Sequence, residues 1–498
     1  MAVAGSILPF VYGLDYSYIV LRLQARVTVR KAYVSHLRRC RHATWAREHA
    51  TSCPNRFKGS LLKKHVELAC IPLNLHLQTM HLAPQPGATN LYPHRISQLH
   101  DVCLYDTTTV GAFAAHVYEF KQGGVFSLRQ EASKCSISGG SQSSSSSLFP
   151  TTWQYLSQVE RRRCDLEWTV NTRLDVCVPQ ALAALATALT ATLRRLVHQP
   201  LQFERLIQLG FVFHVESLLS TYGAELGMLE DMMEAMQTVG TFRILLVPHA
   251  DNASDTQGQV VESVDLYTNV DDAVAGHRRH DHAKSDDTVN QRTYILFIIH
   301  TCRGKVLIPK RCLVSIHPLL FNVGINDKQS LANMSMAAYP KKLQDHINDS
   351  ALQRLKSVVA AFCDLVPADT SARVLLQELT DAVHVSNSGR RKHPQVLQAS
   401  SRLVRHLDGG RVTVCTSGKD RTAMAVTLEQ GMLLSWHHDL ALENVPDVVA
   451  TMRSRGVRIE NCRKNTGRRK FASFNPLQRS MVPEPYRCPP ETGGRHLS

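Results

Sequence analysis

Residues 409–431 read GGRVTVCTSGKDRTAMAVTLEQG. The run RVTV (411–414) alternates and is β-branched, which predicts a strand. TSGKD follows, and Gly418 lets the chain curl through conformations other residues avoid. RTAMAVTLEQGMLLSW (421–436) then has helical spacing, with Ala425, Leu428, Met432 and Leu433 available for one face. A strand, a tight loop and a helix aim successive backbone N–H groups and a helix N-terminus at one point. That arrangement is an anion cradle. The fold it implies is α/β: a central, mostly parallel sheet flanked by helices, with the loop at the carboxyl end of strand 411–414.

The loop carries its own chemistry. Cys415 ends the strand and Arg421 lies six positions on. The helix N-terminus, Lys419 and Arg421 together favour the thiolate form of Cys415, a nucleophile toward a bound phosphoryl group. Arg421 can grip two phosphoryl oxygens in a fork. Thr422 can donate to the sulfur, and Asp420 can protonate the departing oxygen. Thr416, Ser417, Gly418 and Lys419 complete the cradle. A second Cys-x5-Arg match, CRKNTGR (462–468), is the internal control. Charged residues precede it, three cations crowd it and Pro476 follows, so it reads as chance.

Composition sets the frame. A chain of 498 residues predicts two to four domains or subdomains. Hydrophobic content of 44% and charged content of 20% fit a soluble globular protein. The formal charge of +15 calls for an anionic partner. Thirteen cysteines without regular spacing argue for a reducing compartment. No apolar run approaches the roughly 18 residues of a membrane span, and the N-terminus lacks the basic and apolar regions of a secretory signal.

Along the chain, residues 1–56 form a basic, unassigned segment. Residues 57–290 are expected to form a helix-rich region, with a Ser-rich linker at 136–150 and a polar loop at 249–291. Residues 291–488 are expected to hold the catalytic unit, with a tail at 489–498. PQALAALATALTATLRRLV (179–197) predicts a helix with Pro179 in its first turn. Residues 293–316 predict two strands around the RG turn at 303–304. Helices are predicted at 343–363, 370–384 and 394–407.

The loop resembles that of the cysteine-dependent phosphatases. More narrowly, it resembles the inositol polyphosphate 4-phosphatase family, whose loop runs Cys-Lys-Ser-Ala-Lys-Asp-Arg-Thr. Five further blocks look like that family: LNLHLQTM (73–80), YDTTTVGAFAAHVYEFKQGG (105–124), ESLLSTYGAELGMLEDM (216–232), FNVGINDKQSLA (321–332) and MRSRGVRIENCRKNTGRRKFASFNPLQ (452–478). The resemblance implies hydrolysis of the 4-phosphate of phosphatidylinositol 3,4-bisphosphate through a Cys415 phosphoenzyme, with no metal and no cofactor. It implies that Arg421 binds the phosphoryl group and Lys419 contacts the inositol phosphates. Asp420 is the expected acid, with Asp364 or Asp408 as alternatives. Two positions depart from the family loop: Thr416 stands where it has Lys, removing a cation from the rim, and Gly418 replaces Ala, an exchange expected to be sterically mild. Larger members carry an N-terminal lipid-binding β-sandwich for which residues 1–56 leave no room. The chain therefore reads as a short form, a fragment or a gene model missing its front.

The segment 453–470 carries eight Lys or Arg against Glu460 alone. Arg463, Lys464, Arg468, Arg469 and Lys470 are the candidates for contact with an anionic cytoplasmic membrane surface, in a cytoplasmic, peripherally bound protein. HRRHDH (277–282) reads as a polar loop rather than a metal site, and no nucleic-acid motif accompanies the basic N-terminus. A dual-specificity protein phosphatase and a weakly active phosphoinositide-binding scaffold are the competing functions.

Overall fold

The computed structural model describes residues 72–82, 103–137, 149–196, 199–248, 294–299, 312–334, 338–389, 391–472 and 479–494. Segment 1–56, most of the Ser-rich linker, the polar loop and the HRRHDH run lie outside the described residues.

Seven strands form one sheet in the order β1-β2-β7-β3-β6-β4-β5. They are β1 (His76–Leu82), β2 (Cys103–Gly111), β3 (Phe211–Ser217), β4 (Arg243–Pro248), β5 (Tyr294–Ile299), β6 (Cys312–Asn322) and β7 (Gly410–Cys415). Strands β2, β7, β3 and β6 run parallel, as do β4 and β5; β1 is antiparallel to β2, and β4 to β6. The expected mostly parallel sheet is what forms. A parallel sheet must be covered on both faces, so its central strands are buried, and their polar members are paired there, as Arg411 of β7 is with Glu216 of β3. All seven residues of β3 are buried.

The helices supply the two covers. They are α1 (Val125–Ile137), α2 (Phe149–Leu196), α3 (Pro200–Leu209), α4 (Ala224–Val239), α5 (Asp327–Met334), α6 (Ala338–Leu365), α7 (Ser371–Ser388), α8 (Gln395–His406), α9 (Asp420–His437), α10 (Val445–Arg455) and α11 (Val457–Thr466). Val412, Val414, Phe213 and Val215 face one core with Leu185, Leu189 and Met232 from α2 and α4. Val212, Phe321 and Cys415 face the other, with Leu355, Leu379, Leu403 and Leu428 from α6 to α9. Alternation along the strands thus splits the interior into two layers.

Three expectations change. Four strands from residues 57–290 join the same sheet as β6 and β7, so position 290 is no break in the sheet. The two strands around 303–304 exist, but β4 lies between them, parallel to β5 and antiparallel to β6. Alternation predicts a strand without naming its partner. Pro179 lies inside α2 rather than in a first turn. A mid-helix proline costs about 3 kcal/mol, but Val176, Cys177, Ala181 and Leu185 are fully or almost fully buried around it, and that packing holds the helix continuous. Its Arg161–Leu196 part is long and apolar enough to cross a membrane; 72% of its apolar window is buried in the protein, so it serves as a core helix.

Candidate active site

The parallel strands β2, β3, β6 and β7 all end on one side of the sheet, where crevices open in α/β folds. The loops there are laced together. Ala112 N donates to Cys415 O (2.9 Å), Leu218 N to Val414 O (2.9 Å) and Val323 N to Ser217 O (3.1 Å). Cys415 is the last residue of β7, and α9 begins at Asp420, so the loop is Thr416–Lys419.

Gly418 has φ +66°, and a Cβ there would meet Val110 C at 2.5 Å and Gly111 N at 2.6 Å. The loop leans on the backbone of β2, and a side chain would push it off. The Gly418-for-Ala exchange is therefore not the mild one expected from the residue types. Asn74 Nδ2 donates to Ser417 O at 2.5 Å and braces the same turn.

Cys415 is 2% exposed, so its sulfur is reached only by a group that enters the loop. Arg421 turns back over the loop. Its Nη2 donates to Glu225 Oε1 (2.6 Å) and Thr416 Oγ1 (2.6 Å), and its Nη1 to Glu225 Oε2 (3.1 Å) and Leu218 O (2.9 Å). Thr416 Oγ1 in turn donates to Glu225 Oε1 (2.9 Å). Position 416 is thus folded onto the arginine and its carboxylate.

Glu225 opens α4 and is buried. Burial pushes its carboxyl up, but the charge and hydrogen bonds of Arg421, with those of Ser220, outweigh it and hold the group down to about 2. Ser220 N and Oγ each donate to Oε2 at 2.7 Å, and Asn326 Nδ2 donates at 3.3 Å. The carboxylate therefore fixes the fork before any ligand arrives.

Asp420 lines an open cleft together with Arg421. Cys462 Sγ lies 3.7 Å from Asp420 Oδ1. Burial and the Asp420 carboxylate push the Cys462 thiol up, which keeps it protonated and a donor. Lys419 is the residue before α9; burial lowers its ammonium, opposed by Asp420, Cys415 and Cys462. Thr422 Oγ1 donates to Lys419 O at 2.9 Å, so its hydrogen goes to the loop backbone and not to the sulfur. Asp408 is at the other end of β7, paired with Arg195 (2.6 Å). Asp364 is on the exposed side of α6, two residues from Phe362, which packs on His406 near that same end.

The basic segment divides. Arg453 and Arg458 are buried. Arg453 donates to Thr427 Oγ1, Met424 O, Pro485 O and Arg487 O at 2.7–2.9 Å, and Arg458 donates to Thr109 Oγ1 at 3.0 Å. Arg463, Lys464, Arg468, Arg469 and Lys470 are exposed, and Arg463 and Arg469 both pair with Glu460. Among the described residues no group of three or more His, Cys, Asp or Glu could hold a metal ion.

Reading by motif missed Glu225, Asn74, Asn326 and the role of Cys462. All four lie within blocks that carry the family resemblance, at 216–232, 73–80, 321–332 and 452–478. That concentration is the signal that could have found them.

The family model described as the INPP4A C-terminal domain matches residues 158–270 and 306–486, more than half of the chain. The human protein named inositol polyphosphate 4-phosphatase type II is 31% identical over 336 residues, covering 65% of this chain and 32% of its own length. The rat protein named type II inositol 3,4-bisphosphate 4-phosphatase is 31% identical over 331 residues, with the same two coverages. A human protein named phosphatidylinositol 3,4,5-trisphosphate-dependent Rac exchanger 2 is 32% identical over 133 residues, which is 27% of this chain and 7% of its own. The chain spans about a third of the length of the type II relatives it matches. With the loop, its arginine and the matched segments agreeing, the chain belongs to the inositol polyphosphate 4-phosphatase family.

Proposed function

We propose that the chain is a phosphoinositide phosphatase. It removes the 4-phosphate of phosphatidylinositol 3,4-bisphosphate and leaves phosphatidylinositol 3-phosphate. The observation that carries this reading is the β7–α9 loop, where a nearly sealed cysteine sits beneath an arginine already clamped by a buried carboxylate. The names of the type II relatives support the substrate class.

The backbone N–H groups of Ser417, Gly418 and Lys419 and the N-terminus of α9 receive the phosphoryl oxygens. Arg421 holds two of them in the transition state, through Nε–H and through the Nη2–H that it otherwise gives to Thr416 Oγ1, and Lys419 meets the ring phosphates. The Cys415 thiolate attacks phosphorus; the S–P bond forms as the bond to the ring oxygen breaks, and Asp420 gives that oxygen its proton. Water then attacks the cysteinyl phosphate, Asp420 takes a proton from it, and the sulfur leaves as thiolate. Thr422 serves by holding the Lys419 carbonyl. Cys462 keeps Asp420 oriented.

The enzyme works in the cytoplasm, peripherally on an anionic membrane surface. Arg463, Lys464, Arg468, Arg469 and Lys470 supply that contact; they lie on α11 and the turn after it, and the buried side of α11 touches Asp420.

The test is phosphate release from a panel of phosphoinositides and a phosphotyrosine peptide, by wild type and Cys415→Ser. Release from phosphatidylinositol 3,4-bisphosphate, abolished by Cys415→Ser, is expected. Equal release by both proteins sinks the mechanism. Release from the peptide alone means a protein phosphatase, and headgroup binding without release means a scaffold.

A further inference from the structure

The cleft beside the phosphoryl loop has a second cationic wall. Asp420 and Arg421 line one side; Arg479 and Arg487, from the segment near the C-terminus, line it too. Met424, Phe471 and Tyr486 give it apolar walls. Cys415 does not line it, so this space lies beside the phosphoryl site, with Arg421 shared between the two.

The wall is tied down from several sides. Arg487 Nε donates to Val482 O (2.8 Å) and its Nη2 to Ser480 O (3.0 Å), which rigidifies the turn 480–487. Arg453 reaches Pro485 O and Arg487 O, each at 2.7 Å, and anchors that turn to α9. Lys392 Nζ joins Asn326 O (2.5 Å) to Met481 O (2.6 Å). Arg479 Nη2 donates to Cys488 O at 3.3 Å. These partners of Arg479 and Arg487 are all carbonyl oxygens, and a guanidinium has five N–H donors. Among the described residues neither is paired with a carboxylate, and each has N–H donors beyond those bonds.

Position 416 supplies no cation, since threonine is uncharged, and Thr416 is folded onto Glu225 and Arg421. A ring bearing two neighbouring phosphates still needs positive charge beside the cleaved one. We infer that Arg479, backed by Arg487, forms a second phosphate subsite, which takes the ring phosphate adjacent to the one in the loop. This rests on the phosphoinositide reading above and identifies what sets its preference for a doubly phosphorylated ring. The apolar walls suit the carbon face of the ring, and Arg421 lies between the two phosphates.

The experiment compares the purified full chain with its Arg479→Gln and Arg479→Lys variants on three substrates. These are p-nitrophenyl phosphate, soluble inositol 3,4-bisphosphate, and phosphatidylcholine vesicles carrying phosphatidylinositol 3,4-bisphosphate. A hydrogen bond to a charged group sets the scale. For Arg479→Gln, kcat/KM on each ring substrate relative to that on p-nitrophenyl phosphate falls about tenfold or more, chiefly through KM, and Arg479→Lys recovers part of it. A parallel fall on all three substrates, or none on the ring substrates, overturns the subsite. A fall on vesicles alone also overturns it and assigns Arg479 to the lipid surface. A second arm needs no turnover: calorimetry of soluble inositol 3,4-bisphosphate with Cys415→Ser and with Cys415→Ser/Arg479→Gln. At least tenfold weaker binding by the double variant is expected. Equal affinity, or no binding by Cys415→Ser, overturns the subsite. Binding that depends on Arg479 in a wild type without phosphate release keeps the subsite and rejects the phosphatase reading.

Discussion

The thiol of Cys462 donates toward the carboxylate of Asp420 across 3.7 Å, joining α11 to the first residue of α9. Spacing gives this cysteine no meaning, since its own Cys-x5-Arg match is chance. Its neighbour in space gives it one. Replacing it with Ala removes a buried sulfur and the donor on the acid. A few-fold fall in kcat with little change in KM is expected, with about 1–2 kcal/mol of lost stability. Cys462→Ser keeps a donor and should keep kcat. Steady-state kinetics beside a thermal melt separate the two effects, and an unchanged kcat in Cys462→Ala removes Cys462 from the site.

Glu225→Gln tests the clamp on Arg421. The carboxyl is held down to about 2 from an ordinary 4.5. A depressed carboxylate stabilises the fold fully above about pH 4.5, and that contribution disappears as the pH falls toward 2. The shift corresponds to about 3 kcal/mol. Urea unfolding should therefore separate Glu225→Gln from wild type by about that much at pH 7 and by much less at pH 3. Phosphate release should fall about a hundredfold, because a fork displaced by an ångström no longer matches the transition state. A pH-independent stability difference contradicts the pairing.

Gly418→Ala forces a Cβ against Val110 and Gly111 at a positive φ. Strain of this kind costs about 1–3 kcal/mol before any clash is counted. The melting temperature should drop and activity should be lost. A variant that folds and turns over like wild type shows that β2 and the loop can separate.

Arg453→Met removes a buried cation with four oxygen partners on α9 and the turn 480–487. Burial lowers this guanidinium to about 10, which leaves it charged at neutral pH. Losing it leaves carbonyls unsatisfied in the interior, with an expected loss of about 2–4 kcal/mol. Faster hydrogen exchange should appear in 480–488 ahead of the rest of the chain. Uniform exchange means that the arginine does not anchor that segment.

On the basic face, Glu460 pairs with Arg463 and Arg469, so these two should matter less than Lys464, Arg468 and Lys470. At about 1 kcal/mol per cation near an anionic surface, the triple change of those three to Ala should weaken binding to phosphatidylserine vesicles about a hundredfold. Arg463→Ala/Arg469→Ala should do less. Equal effects mean that the Glu460 pairs open at the membrane.

What was legible in the sequence was local. The strand Arg411–Val414, the glycine turn and the helix behind it are contiguous, so alternation, φ freedom and helical spacing could all be read there. The carboxylate on Arg421 comes from Glu225, 196 residues earlier, and no local rule links the two. The same holds for Asn74 under Ser417, and for β4 lying between β5 and β6. Pro179 shows the opposite failure. The local rule is sound, yet burial of Val176, Cys177, Ala181 and Leu185 outweighs it.

The strand order has a consequence for synthesis. β7 lies between β2 and β3, yet it leaves the ribosome after both and last of the seven. Until residue 415 emerges, β2 and β3 have no partner along their facing edges, and open edges invite pairing with other chains. The pairing of β2 with β7 spans about three hundred residues of chain, which makes it a slow step to close. The nucleophile travels on the strand that seals this gap. A chain cut short before Gly410 lacks the middle of its sheet as well as its chemistry, so completion of the fold and arrival of the reactive sulfur are one event.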